Sequence, residues 1–277
     1  MTAVVFDGQK LALTKRQQLQ EGFRRLSRNR QELRLVDILV GNSRTGQLYT
    51  DLKKQASQEV GIKFEVIKIL QDAGARSLID LVKTLNQDNK VAGIMLQLPL
   101  SGNLRRDQER IVDTIDSKKD VDCLTSYNLG RLLLGRPLIL PATVKAIWQV
   151  LEQAGVGESN ISGKKVVIVG RSNIVGKPMA FLLINKGATV TICHRRTKEL
   201  IAYTSSADIL ISATGQPGLI TGSMVKKGGV IVDVGSPKGD IDFDQAKNKA
   251  SFITPVPGGV GPMTVACLLE NFLEILS

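Results

Sequence analysis

The chain is poor in the side chains that most often carry metal or nucleophilic chemistry. Among 277 residues there is one histidine, His194, and three cysteines, Cys123, Cys193 and Cys267. A lone histidine without paired cysteines excludes an ordinary zinc site and a Ser-His-Asp hydrolase, so no metal is expected. Three cysteines, widely separated and in apolar or strand-like settings, do not make a disulfide framework; they suit buried thiols in a reducing compartment. Long hydrophobic runs are missing as well. The first residues include Asp7 and Lys10, and neither a secretory signal nor a membrane span can be read, so a cytoplasmic chain with no membrane partner is expected. Aromatic residues make up only 4% of the chain. The basic residues therefore lack the aromatic interleaving that a platform for single-stranded nucleic acid needs.

What the chain does have is positive charge and apolar content. The formal net charge is +11 and 43% of residues are hydrophobic. Lys15, Arg16, Arg24, Arg25, Arg28, Arg30 and Arg34 fall on a stretch that reads as an amphipathic helix with Leu19, Phe23 and Leu26 inward. That pattern is ordinarily a solvated face, which favours a small anionic substrate over nucleic acid. The apolar content suffices for one large or two modest cores.

Strand-like runs alternate with helical segments along the whole chain: Leu35 to Val40, Lys63 to Ile69, Gly93 to Leu96, Val166 to Val169, Ala188 to Cys193, Asp208 to Ala213 and Gly229 to Val234. Between them, Tyr49 to Glu59, Ser77 to Leu85 and Thr143 to Ala154 have helical length and charged faces. This is the pattern of parallel α/β layers. A glycine- and serine-rich stretch after the helix begun at Pro141 marks a hinge. The expected division is an N-terminal α/β substrate domain over residues 1–142 and a Rossmann-type NAD(P)-binding domain with a parallel sheet over 143–262. A last helix, residues 263–277, packs back on the first domain.

The segment Val166-Val-Ile-Val-Gly-Arg-Ser-Asn-Ile-Val-Gly-Lys-Pro-Met-Ala180 reads as a buried strand, a glycine turn and a helix start. Gly170 permits the sharp turn and Gly176 the close approach of backbone. Amides at the helix N-terminus then face a diphosphate. Ser172 occupies the place of the usual second glycine, and a loop of this form alone is as compatible with a plain turn as with a nucleotide. The next strand ends in His194-Arg-Arg-Thr197, where a dinucleotide fold that prefers NAD carries a carboxylate. Guanidinium forks at Arg195 and Arg196 suit a 2′-phosphate and hence NADP, with Arg171 available to the same group. The plain alternative is that the two arginines solubilise a strand end. His194 reads as a structural or cofactor-edge residue, since no carboxylate partner is apparent.

Tyr49-Thr-Asp-Leu-Lys53 sets a phenol and an amine four apart on one helical face. Taken alone, the pair is as well explained by an ordinary surface helix. It occurs, however, in order with Val91-Ala-Gly-Ile-Met-Leu-Gln-Leu-Pro-Leu100, Lys119-Asp-Val-Asp122, the Gly170 to Pro178 loop and Pro255-Val-Pro-Gly-Gly-Val-Gly-Pro-Met-Thr264. Together these motifs resemble the bifunctional methylenetetrahydrofolate dehydrogenase/methenyltetrahydrofolate cyclohydrolase family over nearly the whole chain. The resemblance implies oxidation of 5,10-methylenetetrahydrofolate with NADP, NAD remaining open, and hydrolysis of the methenyl product to 10-formyltetrahydrofolate. It implies that Lys53 is the residue on which the cyclohydrolase step depends, Gln97 its hydrogen-bonding partner, Tyr49 the ring against the folate's aromatic portion, and Asp122 the pterin anchor. Pro257, Gly258 and Gly259 would bring bare backbone to the substrate. The cofactor-binding set would be Gly170, Arg171, Ser172, Gly176, Arg195, Arg196 and Thr214. A homodimer, through the cofactor domain, is also implied.

A lysine desolvated against Tyr49 and Leu48 is expected to assist proton transfer from the attacking water. Departures from the family pattern are Gly46 for serine, Cys123 for the glycine after Asp122, Ala142-Thr-Val144 for Cys-Thr-Pro, Arg195 for the serine after His194, and Ser236-Pro237 for Ile-Asn. They leave two alternatives: a dehydrogenase with weak or lost cyclohydrolase activity, and a basic nucleotide-binding protein without catalysis.

Overall fold

The computed structural model describes residues 3–27, 33–41 and 43–277. In chain order its first half holds β1 (Val4–Val5), α1 (Gly8–Ser27), β2 (Arg34–Val40), α2 (Arg44–Glu59), β3 (Lys63–Ile69), α3 (Ala75–Gln87), β4 (Val91–Leu96), α4 (Gln108–Val112), α5 (Ser126–Leu133) and α6 (Ala142–Gln153). The second half holds β5 (Lys165–Val169), α7 (Gly176–Asn185), β6 (Thr189–Cys193), α8 (Leu200–Thr204), β7 (Ile209–Ser212), β8 (Val230–Asp233), α9 (Phe243–Lys247), β9 (Phe252–Ile253) and α10 (Val260–Leu276). The chain divides into two compact units: Leu13–Arg131 with Pro137–Ala142 and Val265–Ser277, and Met1–Ala12 with Leu132–Arg136 and Thr143–Thr264.

The first unit is built on a three-stranded parallel sheet in the order β3-β2-β4. Central β2 is covered on both faces, which is why its sequence is a nearly unbroken apolar run. On one face Leu35 and Met95 meet Leu19 and Phe23 of α1, Ala56 of α2 and Val60 just past it, and Leu268, Leu269 and Phe272 of α10. On the other, Val36, Ile38, Ile94 and Leu96 meet Leu78, Ile79 and Val82 of α3. Phe23 and Phe272 stack with ring centroids 6.0 Å apart. A fully buried ring of this kind contributes roughly 1.5–3 kcal/mol. The C-terminal helix is thus part of the first unit's core, as the apolar run at its end of the sequence suggests.

The basic stretch differs from its sequence reading in two ways. Arg34 belongs to β2 and not to the helix; it pairs with Glu65 at 3.3 Å and also with Asp88. Lys15 and Arg16 are not simply solvated, because they reach Glu270 at 2.6 Å and Glu59 at 2.7 Å with side chains only 16% and 19% exposed. The α1 positions carrying them face α10 and α2 along the edge of the apolar stripe, so their stems are covered. Arg28 and Arg30 lie outside the described residues.

The second unit carries a six-stranded, all-parallel sheet in the order β1-β9-β8-β7-β5-β6. The order reverses at β5, with β6 on one side and β7 on the other, and in open α/β sheets such a reversal opens a crevice at the carboxyl ends of the strands. Met1–Ala12 and Leu132–Arg136 group here, whereas the expected division put them with the substrate domain. The physical reason for the first is a strand too short to be seen in the sequence: Val4 and Val5 pair in parallel with Phe252 and Ile253.

Candidate functional site

In the first unit the site begins at the N-terminal end of α2. Ser43 caps the helix by accepting from the Gly46 amide at 3.2 Å. Among the described side chains the buried positions of the helix are 46, 50, 53, 56 and 57, followed by 60 at its C-cap. That is the 3-and-4 spacing of a helix face turned inward, yet Thr50, Lys53 and Ser57 on it are polar. Lys53 is 9% exposed. Its ammonium donates to Gln97 Oε1 at 3.0 Å, and Gln97 stands just past the end of β4, held by its amide bond to Ile38 O at 2.9 Å. Tyr49 lies one helical turn before Lys53 and is half-buried. Leu48, expected against the lysine, is 53% exposed. The lysine is instead buried against charge: Asp37 Oδ1, in the middle of β2, lies 3.6 Å from its Nζ.

Asp37 is the residue that sequence reasoning missed. It is fully buried, and its Oδ2 accepts the Thr50 hydroxyl at 2.8 Å. The signal was present: a single carboxylate interrupts Leu35-Val-Asp-Ile-Leu-Val40, and a buried charge needs a partner.

The two aspartates of Lys119-Asp-Val-Asp122 have separate environments. Asp120 accepts from the amides of Leu124 and Thr125 at 3.0 and 2.9 Å, the Thr125 hydroxyl at 2.7 Å and Asn128 Nδ2 at 2.9 Å. It is the fastener of the loop. Asp122 is partly exposed as a residue, but protein packs around its carboxyl, and this desolvation pushes it up to about 6. The Lys53 charge opposes that rise, whereas Asp120 and Asp37 add to it. Lys53, Asp37 and Asp122 therefore influence one another by charge, and Gln97 joins them through its hydrogen bond to Lys53. Asn271 of α10, another residue not anticipated, donates to Val121 O at 3.0 Å and Leu140 O at 2.8 Å and so ties down the segment that presents Asp122. Lys119 plays a structural part, its ammonium donating to the carbonyls of Leu85, Asn86 and Asp88 at 3.2, 2.6 and 2.9 Å around the end of α3.

In the second unit the glycine loop follows β5. Gly170 has φ +126, and a Cβ there would lie 2.4 Å from Ala213 O; one at Gly176 would lie 2.1 Å from Gly170 O. Only glycine at both places lets the loop fold onto the sheet edge. Ser172 is a cap: its hydroxyl accepts from the amides of Val175 and Gly176 at 3.1 and 3.4 Å, and its carbonyl from Lys177 at 3.1 Å. The expectation that the helix amides themselves face a diphosphate is thereby corrected. The first amides of α7 are satisfied within the protein, and Pro178 has none. Those of Arg171, Ser172 and Ile174, in the loop before the helix, form no hydrogen bond among the described residues and remain for an anion.

Neighbouring strand ends bring the remaining residues alongside. The Gly170 amide donates to Cys193 O at 2.9 Å, which sets the turn after β6 beside the loop. There His194 Nδ1 accepts from the Arg196 amide at 3.1 Å, and both Arg195 and Arg196 are exposed. No carboxylate pairs with Arg171, Arg195 or Arg196 among the described residues. Thr214 follows Ala213, and buried Asp240 fixes it by accepting its amide at 2.6 Å and the Ser212 hydroxyl at 3.0 Å. Asp233 in turn accepts from the amides of Gly235, Asp240 and Ile241 at 2.8, 3.1 and 2.9 Å, and burial still raises its carboxyl above the usual range. Pro257, Gly258 and Gly259 follow β9 in this unit. A Cβ at Gly8 would lie 2.0 Å from Gly259 O, so the start of α1 presses directly on that turn.

A glycine cradle that a Cβ would fill, three unpaired arginines and free loop amides fit a dinucleotide phosphate with an extra anionic group. Comparison with known proteins agrees. Residues 6–122 match the catalytic domain of tetrahydrofolate dehydrogenase/cyclohydrolase, and residues 141–277 match its NAD(P)-binding domain. The chain belongs to this family. It is 43% identical over 281 residues to the "Bifunctional protein FolD" of Moorella thermoacetica, covering 99% of each chain. Among solved structures it is similar to the Trypanosoma brucei methylenetetrahydrofolate dehydrogenase-cyclohydrolase complexed with NADP and an inhibitor. That match has a TM-score of 0.93 and 36% identity, and covers 100% of this chain and 98% of that one. The Campylobacter jejuni bifunctional enzyme matches with a TM-score of 0.91 and 39% identity over 99% and 98% of the two chains. This tetrahydrofolate dehydrogenase/cyclohydrolase is a two-domain α/β enzyme with an NAD(P)-binding domain. Among its described residues no helix is long and apolar enough to cross a membrane.

Proposed function

We propose that the enzyme oxidises 5,10-methylenetetrahydrofolate with NADP and hydrolyses the methenyl product to 10-formyltetrahydrofolate, with Lys53, Gln97, Tyr49 and Asp122 serving the folate. The observation that carries the residue assignment is the Lys53 ammonium fixed on Gln97 at 3.0 Å beside the raised carboxyl of Asp122. A carboxylate accepts two adjacent pterin N–H donors in one plane, which is the role given to Asp122. Tyr49 offers a ring face to the aminobenzoyl portion. Gln97 holds Lys53 without adding charge, and Lys53 manages the proton of the water that attacks the methenyl carbon.

Gly170, Arg171, Ser172, Gly176 and Thr214 would cradle NADP, and Arg195 and Arg196 would hold its 2′-phosphate. The cofactor, when bound, supplies the hydride acceptor. The protein's part is to hold the folate carbon in place and keep water away. Pro257, Gly258 and Gly259 would present backbone to the substrate, where a side chain would collide. Arg195→Ser tests the cofactor assignment: the ratio of kcat/KM for NADP over NAD falls, and an unchanged ratio shows that this arginine does not read the phosphate.

A cytoplasmic homodimer completes the reading. The free, buried Cys123, Cys193 and Cys267 favour a reducing compartment, and β6 is an open edge of the sheet with Ile192 37% exposed. Light scattering on purified enzyme tests the dimer. The decisive assay follows both reactions: enzyme-dependent loss of methenyl absorbance must disappear in Lys53→Met. A dehydrogenase without cyclohydrolase would show NADPH formation and no such loss, and a non-catalytic nucleotide binder would show neither.

A further inference from the structure

The fully buried Asp37 has no part in the chemistry above, although its charge stands 3.6 Å from the lysine on which one activity is placed. We infer that Asp37 is a positioning residue for the cyclohydrolase step, holding the Lys53 ammonium on Gln97 and setting the pH range in which the site works. The inference rests on the reading of Lys53 given above.

The geometry is specific. Thr50, one helical turn before Lys53 less one residue, donates to Asp37 Oδ2 at 2.8 Å and so fixes the plane of the carboxylate. That leaves Oδ1 as the oxygen turned to the lysine. It has no hydrogen-bond partner, since 3.6 Å is an ion-pair distance and too long for a hydrogen bond. A buried carboxylate oxygen without a hydrogen bond is costly, and a fold has no structural need of a carboxylate at this place in β2, where its sheet neighbours Val66 and Met95 are apolar. Among the described residues the group that makes use of Oδ1 is Lys53. Gln97 and Asp37 thus hold the ammonium from two sides, one through its amide oxygen and the other through charge.

The charged groups that act with Asp37 are Lys53 from α2 and Asp122 and Asp120 from the segment between α4 and α5; the same Asp37 charge adds to the raised position of Asp122. Removing the Asp37 charge takes away one of the influences that raise Asp122, so the Asp122 carboxyl loses its proton at lower pH. In Asp37→Asn the amide oxygen stays on the Thr50 hydroxyl, which turns its NH2 toward the ammonium and pushes Lys53 off its position.

The test measures both reactions across the neutral pH range in wild type, Asp37→Asn, Thr50→Val and Lys53→Met, with NADP binding as the check on folding of the nucleotide unit. Asp37→Asn lowers cyclohydrolase kcat by tenfold or more, on the scale that a misplaced group costs, and moves the cyclohydrolase pH profile to lower pH. Thr50→Val keeps the charge and loses only the fixed plane, so kcat falls by a smaller factor while the profile stays in place. If Asp37→Asn is insoluble, Thr50→Val decides alone: reduced kcat at unchanged KM supports the inference and wild-type kcat overturns it. An Asp37→Asn enzyme with wild-type rate and profile, alongside an inactive Lys53→Met, overturns it while leaving the reading of Lys53 intact. An active Lys53→Met removes the reading itself.

Discussion

Asp122 offers a stability prediction with an unusual sign. Its carboxyl rises from 3.8 to about 6, chiefly because protein packs around it. Between those two values the folded chain holds a proton that the unfolded chain has released. Stability therefore falls as pH rises through this window, opposite to a salt-bridged aspartate. At about 1.36 kcal/mol per unit, the cost of carrying the charge reaches at most about 3 kcal/mol above pH ~6. Asp122→Asn is isosteric and never charged, so it escapes that cost. The variant matches wild type at pH ~4 and is more stable by about 2–3 kcal/mol at neutral pH, with the gap opening between. Hydrogen exchange of the β2 and β4 amides reads this in the substrate unit alone. The folate KM moves the other way, because the amide cannot accept two pterin N–H groups: the variant gains stability and loses substrate. A stability difference that is flat with pH, or one that favours wild type at neutral pH, refutes the desolvation argument.

Three further outcomes follow from the geometry. Asn271→Ala strips the carbonyls of Val121 and Leu140 of their buried donor, which costs about 2–4 kcal/mol in chemical unfolding. It also loosens Asp122 enough to raise folate KM; unchanged stability would show that other donors replace the amide. Gly176→Ala puts a methyl 2.1 Å from Gly170 O, so the loop must shift by overpacking of about 1–3 kcal/mol. Its NADP affinity collapses in a fluorescence titration, and retained affinity would show that the loop does not cradle the cofactor. Ser172→Ala leaves the Val175 and Gly176 amides uncapped and lowers stability by about 1 kcal/mol in thermal unfolding, with no change expected if the loop recloses on water.

The central strands were legible because β2 and β5 are apolar, β-branched-rich runs buried on both faces, and β3 was legible from its alternation of apolar and charged residues between Lys63 and Ile69. The two-residue β1 and β9 were not, since Val4-Val5 becomes a strand only through Phe252 and Ile253, some 250 positions away. The same distinction separates the site residues. Lys53 and Gln97 stand in recognisable motifs, whereas Asn271 acts only because α10 folds onto the loop at Val121, and no local pattern contains that contact. Ser172 looked like a lapse in a glycine fingerprint because the sequence cannot say which amides a side chain will take.

Asp37 lies between these cases, and its charge has a consequence for the substrate. A methenyl group bridging two folate nitrogens shares a positive charge between them, so the cyclohydrolase substrate is locally cationic. A net charge of +11 on the chain opposes the binding of a cation. At the site, however, Asp37 and Asp120 already outnumber Lys53, and the local balance becomes more negative once Asp122 has lost its proton. In a region of low dielectric that local sign outweighs distant surface charges, which are screened within about 8 Å at physiological ionic strength. We expect the basic surface and the acidic site to act on different parts of one ligand, the carboxylate tail and the one-carbon bridge. Raising ionic strength should weaken the first more than the second: folates with longer anionic tails lose affinity steeply with salt, and a tail-less methenyl pterin does not. Equal salt slopes for the two would refute this division.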